Sequence, residues 1–197
     1  MPSEPIEERR GWPVRLLRWL LVAAAAGVIV AAVAPLLVLR NQRDTRPRPR
    51  CLSNLKQLGM AVAMYADANG GRSPMDAAQP TLVGSMQLLS NVLTTATVLY
   101  CPTDKRPGAR AEADFKKLTA LNISYSYVPN LTWQDSPDSP IFLDRIYSTS
   151  KGSVWPSNGN HGDKGGFVGF NDGHASWANS LPYALKDKDG KEVVLSP

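Results

Sequence analysis

An α+β fold with an N-terminal transmembrane helix is predicted by three features of the chain. These are an uncharged run of 21 residues, Trp19–Leu39, a helical apolar stripe that begins near Cys51, and a hairpin signal at Asp172-Gly173. Together they predict a membrane helix followed by a second helix packed on a small, loop-rich antiparallel β-sheet.

The run "WLLVAAAAGVIVAAVAPLLVL" is long enough to cross a bilayer core of about 30 Å at about 1.5 Å of helix per residue. Two alternatives stand beside a retained span. A cleaved secretory signal would use a small-residue site such as Ala32–Ala34, but Pro35 follows it directly. A buried soluble helix of this length would need a larger surrounding core than the rest of the chain supplies. The organisation that follows is a cytoplasmic tail over 1–18, the transmembrane helix over 19–39, an Arg/Pro linker over 40–50 and a globular domain over 51–197.

The net charge of +5 is localised. Residues 1–50 hold nine arginines against four acidic residues, and 51–197 are neutral in sum. The basic character therefore belongs to the membrane flanks, where lipid headgroups are the natural partners, and it argues against nucleic acid as a partner of the folded part. Four arginines precede the span and five follow it, so charge bias alone does not orient it. The cysteines do. Cys51 and Cys101 are the only two, and an even count outside the cytoplasm suggests a disulfide, with buried free thiols as the alternative. The expected location is the inner membrane, single-pass, with the C-terminal domain periplasmic.

In the linker "RNQRDTRPRPR", Pro47 and Pro49 predict an extended segment, with a kinked continuous helix as the other reading. "CLSNLKQLGMAVAMYADANGG" then reads as a helix with Leu52, Leu55, Leu58, Gly59, Val62 and Tyr65 near one stripe, ended by Asn69-Gly70-Gly71. A short helix is predicted at Gly84–Leu93, and strands at "TVLYCP", Ile123–Val128 and Pro140–Tyr147. In "FVGFNDGHASWA" a two-residue turn at Asp172-Gly173 sets Asn171 opposite His174 and Val168 opposite Trp177. That register places Val168, Phe170, Ala175 and Trp177 on one core-facing patch and leaves His174 towards solvent.

Three segments taken in order resemble a known family. "CLSNLKQLGMAVAMYADANGGRSP", "LYCPTD" and the spaced His161…Asp172-Gly173 motif are similar to bacterial pilin-like proteins of the prepilin-processing-associated type, relatives of the type II secretion pseudopilins. The resemblance implies a pilin-like domain on a membrane helix, with other pilin-like or secretion-system proteins as partners. It also makes Gly11–Trp12 a candidate processing site. Ten residues separate His161 from Asp172, one more than the family spacing, and Leu16 stands where prepilins carry a glutamate. A tethered protein that does not polymerise is therefore expected, making contacts through loops near 103–120 and 130–140.

Chemistry is sparse. His161, Asp163, Asp172 and His174 could offer metal ligands, but Asp172 is explained by the turn and His161 by a hydrogen-bonding clip. "KDKDGKE" and "TWQDSPDS" carry oxygen donors without calcium-loop spacing. Trp133, Trp155 and Trp177 are expected in the core and not as a ligand platform. No nucleophile elbow or phosphate loop is present, so no catalytic residue, metal or cofactor is assigned and the protein is expected to be non-enzymatic. A tethered metal- or ligand-binding module using the His161/Asp172 region is the alternative.

Overall fold

The computed structural model describes residues 11–43, 47–77 and 80–197, with the side chains of 11–15, 32, 35–43 and 47–48 outside that description. The chain divides between Arg46 and Pro47 into two units. The first consists of helix α1, Gly11–Arg43. Its described apolar side chains face outward on all sides, from Leu16 and Trp19 through Val22 and Ile29 to Val33. Among the described residues no helix is long and apolar enough to cross a membrane. The predicted span runs on through Ala32 and 35–39, whose side chains lie outside the described set, and most of the predicted cytoplasmic tail, 1–10, lies outside it altogether.

The extended linker is corrected. Helix α1 continues to Arg43 and helix α2 begins at Pro47, running to Ala68, so only 44–46 separate the helices and lie outside the described residues. Prolines 47 and 49 fall in the first turn of α2, where backbone N–H groups have no intrahelical acceptor and their absence is harmless. The helix buries Cys51, Leu55, Leu58, Val62 and Ala66, spaced by three or four residues as one stripe. Each of its leucines contributes about 1.5–3 kcal/mol by leaving water. Gly70 and Gly71 take positive φ to end the helix, with the Gly71 N–H returning to the Ala66 carbonyl at 2.8 Å.

Helix α3, Leu82–Gln87, is capped by the Thr81 hydroxyl and runs on into a 3₁₀ turn over Leu88–Asn91, close to the expected short helix. "TVLYCP" is not a strand. Ala96–Leu99 form a 3₁₀ turn capped by Thr95, and Pro102, lacking an N–H, follows at once.

Four antiparallel strands lie in the order β1 (Tyr125–Tyr127), β2 (Pro140–Asp144), β3 (Gly166–Phe170) and β4 (Ala175–Ala178). The structure is thus α+β with a small antiparallel sheet, and α2 packs against β3 and β2. The β3–β4 hairpin exists, but its register differs by one residue from the expectation. Gly169 pairs with Ala175, Val168 with Ser176 and Phe167 with Trp177. The connection is a three-residue loop closed by Phe170 N–H to the His174 carbonyl at 2.9 Å, with Gly173 at φ 85°.

Asn171 causes the shift. Its N–H donates to the Ser139 carbonyl and its amide to those of Thr132 and Asp135, which takes it out of the ladder. One residue of slip exchanges the faces. Phe167, Gly169, Ala175 and Trp177 share one face, whereas Val168 and Phe170 are buried on the other. β3 is a central strand buried throughout, so the expectation of a hairpin laid on the core by one side fails. His174 is exposed as expected and stacks on Phe170.

Gly59 of α2 meets the hairpin turn, and a Cβ there would lie 3.3 Å from the Gly173 Cα. We expect Gly59→Leu to push helix and turn apart and lower stability by about 1–3 kcal/mol, read as a reduced urea midpoint.

Candidate functional site

Cys51 stands in the second turn of α2, and Cys101 follows the 3₁₀ turn that ends at Leu99. Burial of the Cys51–Leu55–Leu58 stripe presses α2 onto the segment carrying Cys101, and the two cysteines form a disulfide with a Cα separation of 5.2 Å. Both are fully buried.

His161 closes over this bond. Its Nε2 lies 4.0 Å from Cys101 Sγ and 3.3 Å from Asp144 Oδ2, and its Nδ1 lies 3.3 Å from Thr103 Oγ1. Its ring meets Phe167 and Trp177 edge-on. The hydrogen-bonding role expected of His161 fits this setting, but the clip holds the disulfide end of the sheet and not the hairpin turn. Asp172 and Gly173 lie in that turn, at the far end of β3 from Phe167, so His161 and Asp172 are not brought together. Asp172 Oδ1 accepts from the His174 N–H at 2.9 Å, a turn-forming bond. Gly11 and Trp12 open α1, with side chains outside the described set.

Beside His161 lies a buried charge network that reasoning from sequence missed. Asp144 Oδ2 accepts from the Phe167 N–H and Oδ1 from Asn160 Nδ2, both at 2.7 Å. Asn160 also donates to the Ser124 carbonyl at 2.7 Å. Arg145, fully buried, donates from Nη1 to Asp104 Oδ1 at 3.0 Å and from Nη2 to the Asn158 carbonyl. Asp104 further accepts from Arg106 Nη2 at 2.8 Å and from the Arg106 backbone N–H at 3.0 Å. The Arg106 guanidinium also reaches the Ile123 carbonyl at the entry to β1. The loop after Cys101, the ends of β1 and β2 and the 158–161 segment are thus joined through polar side chains. One visible signal was available: Asp144-Arg145 interrupts an otherwise apolar strand run, and a charge pair in a buried strand needs partners.

Environment separates the two aspartates. Burial works to raise Asp104, but hydrogen bonds from Arg106 and Arg145 outweigh it and hold the carboxyl below its ordinary value. At Asp144 burial wins over the Phe167 N–H, Asn160 and Arg145, and pushes the carboxyl up to about 7. Between about pH 4 and pH 7 the folded chain therefore keeps a proton at Asp144 that the unfolded chain has lost. Stability from this group is full below about pH 4 and falls by about 2–4 kcal/mol as pH rises to 7. Urea unfolding at pH 5 and pH 8 measures the slope, and Asp144→Asn is expected to flatten it.

The tryptophans do not form a platform. Trp155 is buried and donates from Nε1 to the Ala178 carbonyl, Trp177 is half-buried, and Trp133 is exposed, against the expectation of a core position. In the loops considered for calcium, Asp135 caps the Thr132 N–H and Asp187 Oδ1 accepts from the Asp189 and Lys191 N–H groups, so both carboxylates hold turns.

The side chains of Asp104, Asp144, Arg145 and His161 are 0–3% exposed, and the network ties these segments together inside the fold. Comparison with known proteins gives no match: no family model, no curated protein and no solved structure resembles the chain.

Proposed function

We propose that this chain is a non-enzymatic, membrane-anchored, pilin-like protein of the bacterial envelope, a structural or assembly component of a type II secretion or type IV pilus-like system. The 19–39 run crosses the inner membrane and the disulfide-bonded unit stands on the periplasmic side. The observation that carries the reading is a single covalently closed helix-on-sheet unit that follows directly on an apolar helix. The exposed apolar side chains of α1 between Trp19 and Val33 support it, because such a surface has no stable place in water. The buried, oxidised cysteine pair supports an oxidising compartment. Exposed Trp133, in the 130–140 loop already expected to make contacts, supports a protein partner there.

Protease added to intact spheroplasts tests the reading. Digestion of 51–197 without lysis is expected, and protection until lysis would place that unit in the cytosol and end the proposal. N-terminal sequencing of the membrane-extracted chain decides whether Gly11–Trp12 is cut.

A further inference from the structure

One side of α2 packs on the sheet, and the opposite side carries a patterned stripe. Lys56, Met60, Ala63, Met64 and Asp67 are all exposed and recur at helical spacing, so they share one face. Met60 and Met64 are 57% and 56% exposed. Trp133, 68% exposed, widens the patch, because its indole lies against Gly71 at the end of the helix and borders the same small recess as Ala63 and Ala66. Single exposed apolar residues are ordinary, but two methionines and a tryptophan side by side have the composition of a contact surface.

The charges indicate what covers it. Lys56 and Asp67 close the two ends of the stripe, and neither has an ion-pair partner among the described residues. Positive at one end, apolar in the middle and negative at the other, the stripe is its own complement when turned round. We propose that it is the contact between two copies of this chain, which pack α2 antiparallel on α2 about a twofold axis near Ala61 and Val62.

In that register Lys56 meets Asp67 of the second copy at both ends, Met60 meets Ala63, and Met64 lies over Gly59. A small residue opposite each methionine lets the helix axes approach to the 8–10 Å of ordinary helix packing, with the flexible thioether filling the hollow. A parallel pairing would set lysine on lysine and aspartate on aspartate, which costs affinity. An anionic lipid surface is the poorer occupant, because it repels Asp67 at the rim of the patch. The face is small beside the about 20–30 residues a side of a standard interface, so a weak, concentration-dependent dimer is expected. This contact does not rest on the envelope reading, whose spheroplast experiment can fail and leave it intact.

Full-length protein in detergent micelles tests the pairing. Ala63→Cys is expected to cross-link to its copy on mild oxidation, since the two positions lie about 5 Å apart along the helices. Ser53→Cys is not, because antiparallel copies hold that pair about 25 Å apart. In sedimentation, Lys56→Glu or Asp67→Lys alone should weaken dimerisation about tenfold by setting like charges together at both ends. An equimolar mixture of the two single variants should restore it, since every end pair is then opposite in sign. A chain that stays monomeric at about 1 mM overturns the proposal. So does cross-linking at Ser53→Cys as strong as at Ala63→Cys, or a dimer left unchanged by Met60→Asp/Met64→Asp. A monomeric chain whose environment-sensitive dye at Ala63→Cys shifts to the blue with phosphatidylcholine vesicles replaces the second copy by a lipid surface.

Discussion

Asp104→Asn is expected to destabilise the C-terminal unit by about 3–5 kcal/mol. The substitution keeps the shape and removes the charge. It leaves Arg145, fully buried, facing a neutral amide at the position that now accepts from Nη1 at 3.0 Å. Arg145 cannot shed its proton, and its Nε already has no hydrogen-bond partner among the described residues, so the exposed penalty is that of an unpaired interior cation. Arg106 loses its main anchor as well, which frees the turn that ties the loop after Cys101 to Ile123. The double variant Asp104→Leu/Arg145→Met is expected to recover most of the loss, because a buried ion pair replaced by apolar groups is often near neutral. Urea unfolding of the two variants and the parent measures this, and a double variant no better than the single would mean that the pair does more than cancel its own burial.

The second large effect follows from Cys51→Ser/Cys101→Ser. The bond closes a loop over a sequence separation of 50, for which loop-closure entropy gives about 4 kcal/mol, and losses from small oxidised domains run at about 2–5 kcal/mol. The melting temperature should fall by roughly 5–15 °C. Agreement of the melting temperatures of the double serine variant and the oxidised parent would show that the bond is incidental to the fold.

Helix α2 was legible because its signal is local and repetitive: Leu55, Leu58, Val62 and Ala66 return to one side at the period of the helix itself. The hairpin was legible as an event but not in register. Asp172-Gly173 announces a turn, whereas the size of the turn depends on Asn171 binding Thr132 and Asp135, nearly forty residues away. "TVLYCP" shows the familiar ambiguity of short apolar runs, settled here by Thr95 as a cap. The linker was misjudged by treating Pro47 and Pro49 as breakers when both sit where a helix tolerates them. The site divides in the same way. Cys51 with Cys101 could be anticipated from the residue count. Asp104 with Arg145 could not, because 40 residues lie between two groups whose need for each other arises only on burial.

The position of Cys51 has a mechanical consequence. It sits four residues into α2, so a pull applied through the N-terminal end of that helix can strip off only its first turn before meeting a covalent bond to the 101 loop. The tension then passes into the middle of the folded unit and spreads over several segments at once, instead of unzipping α2 from the sheet one turn at a time.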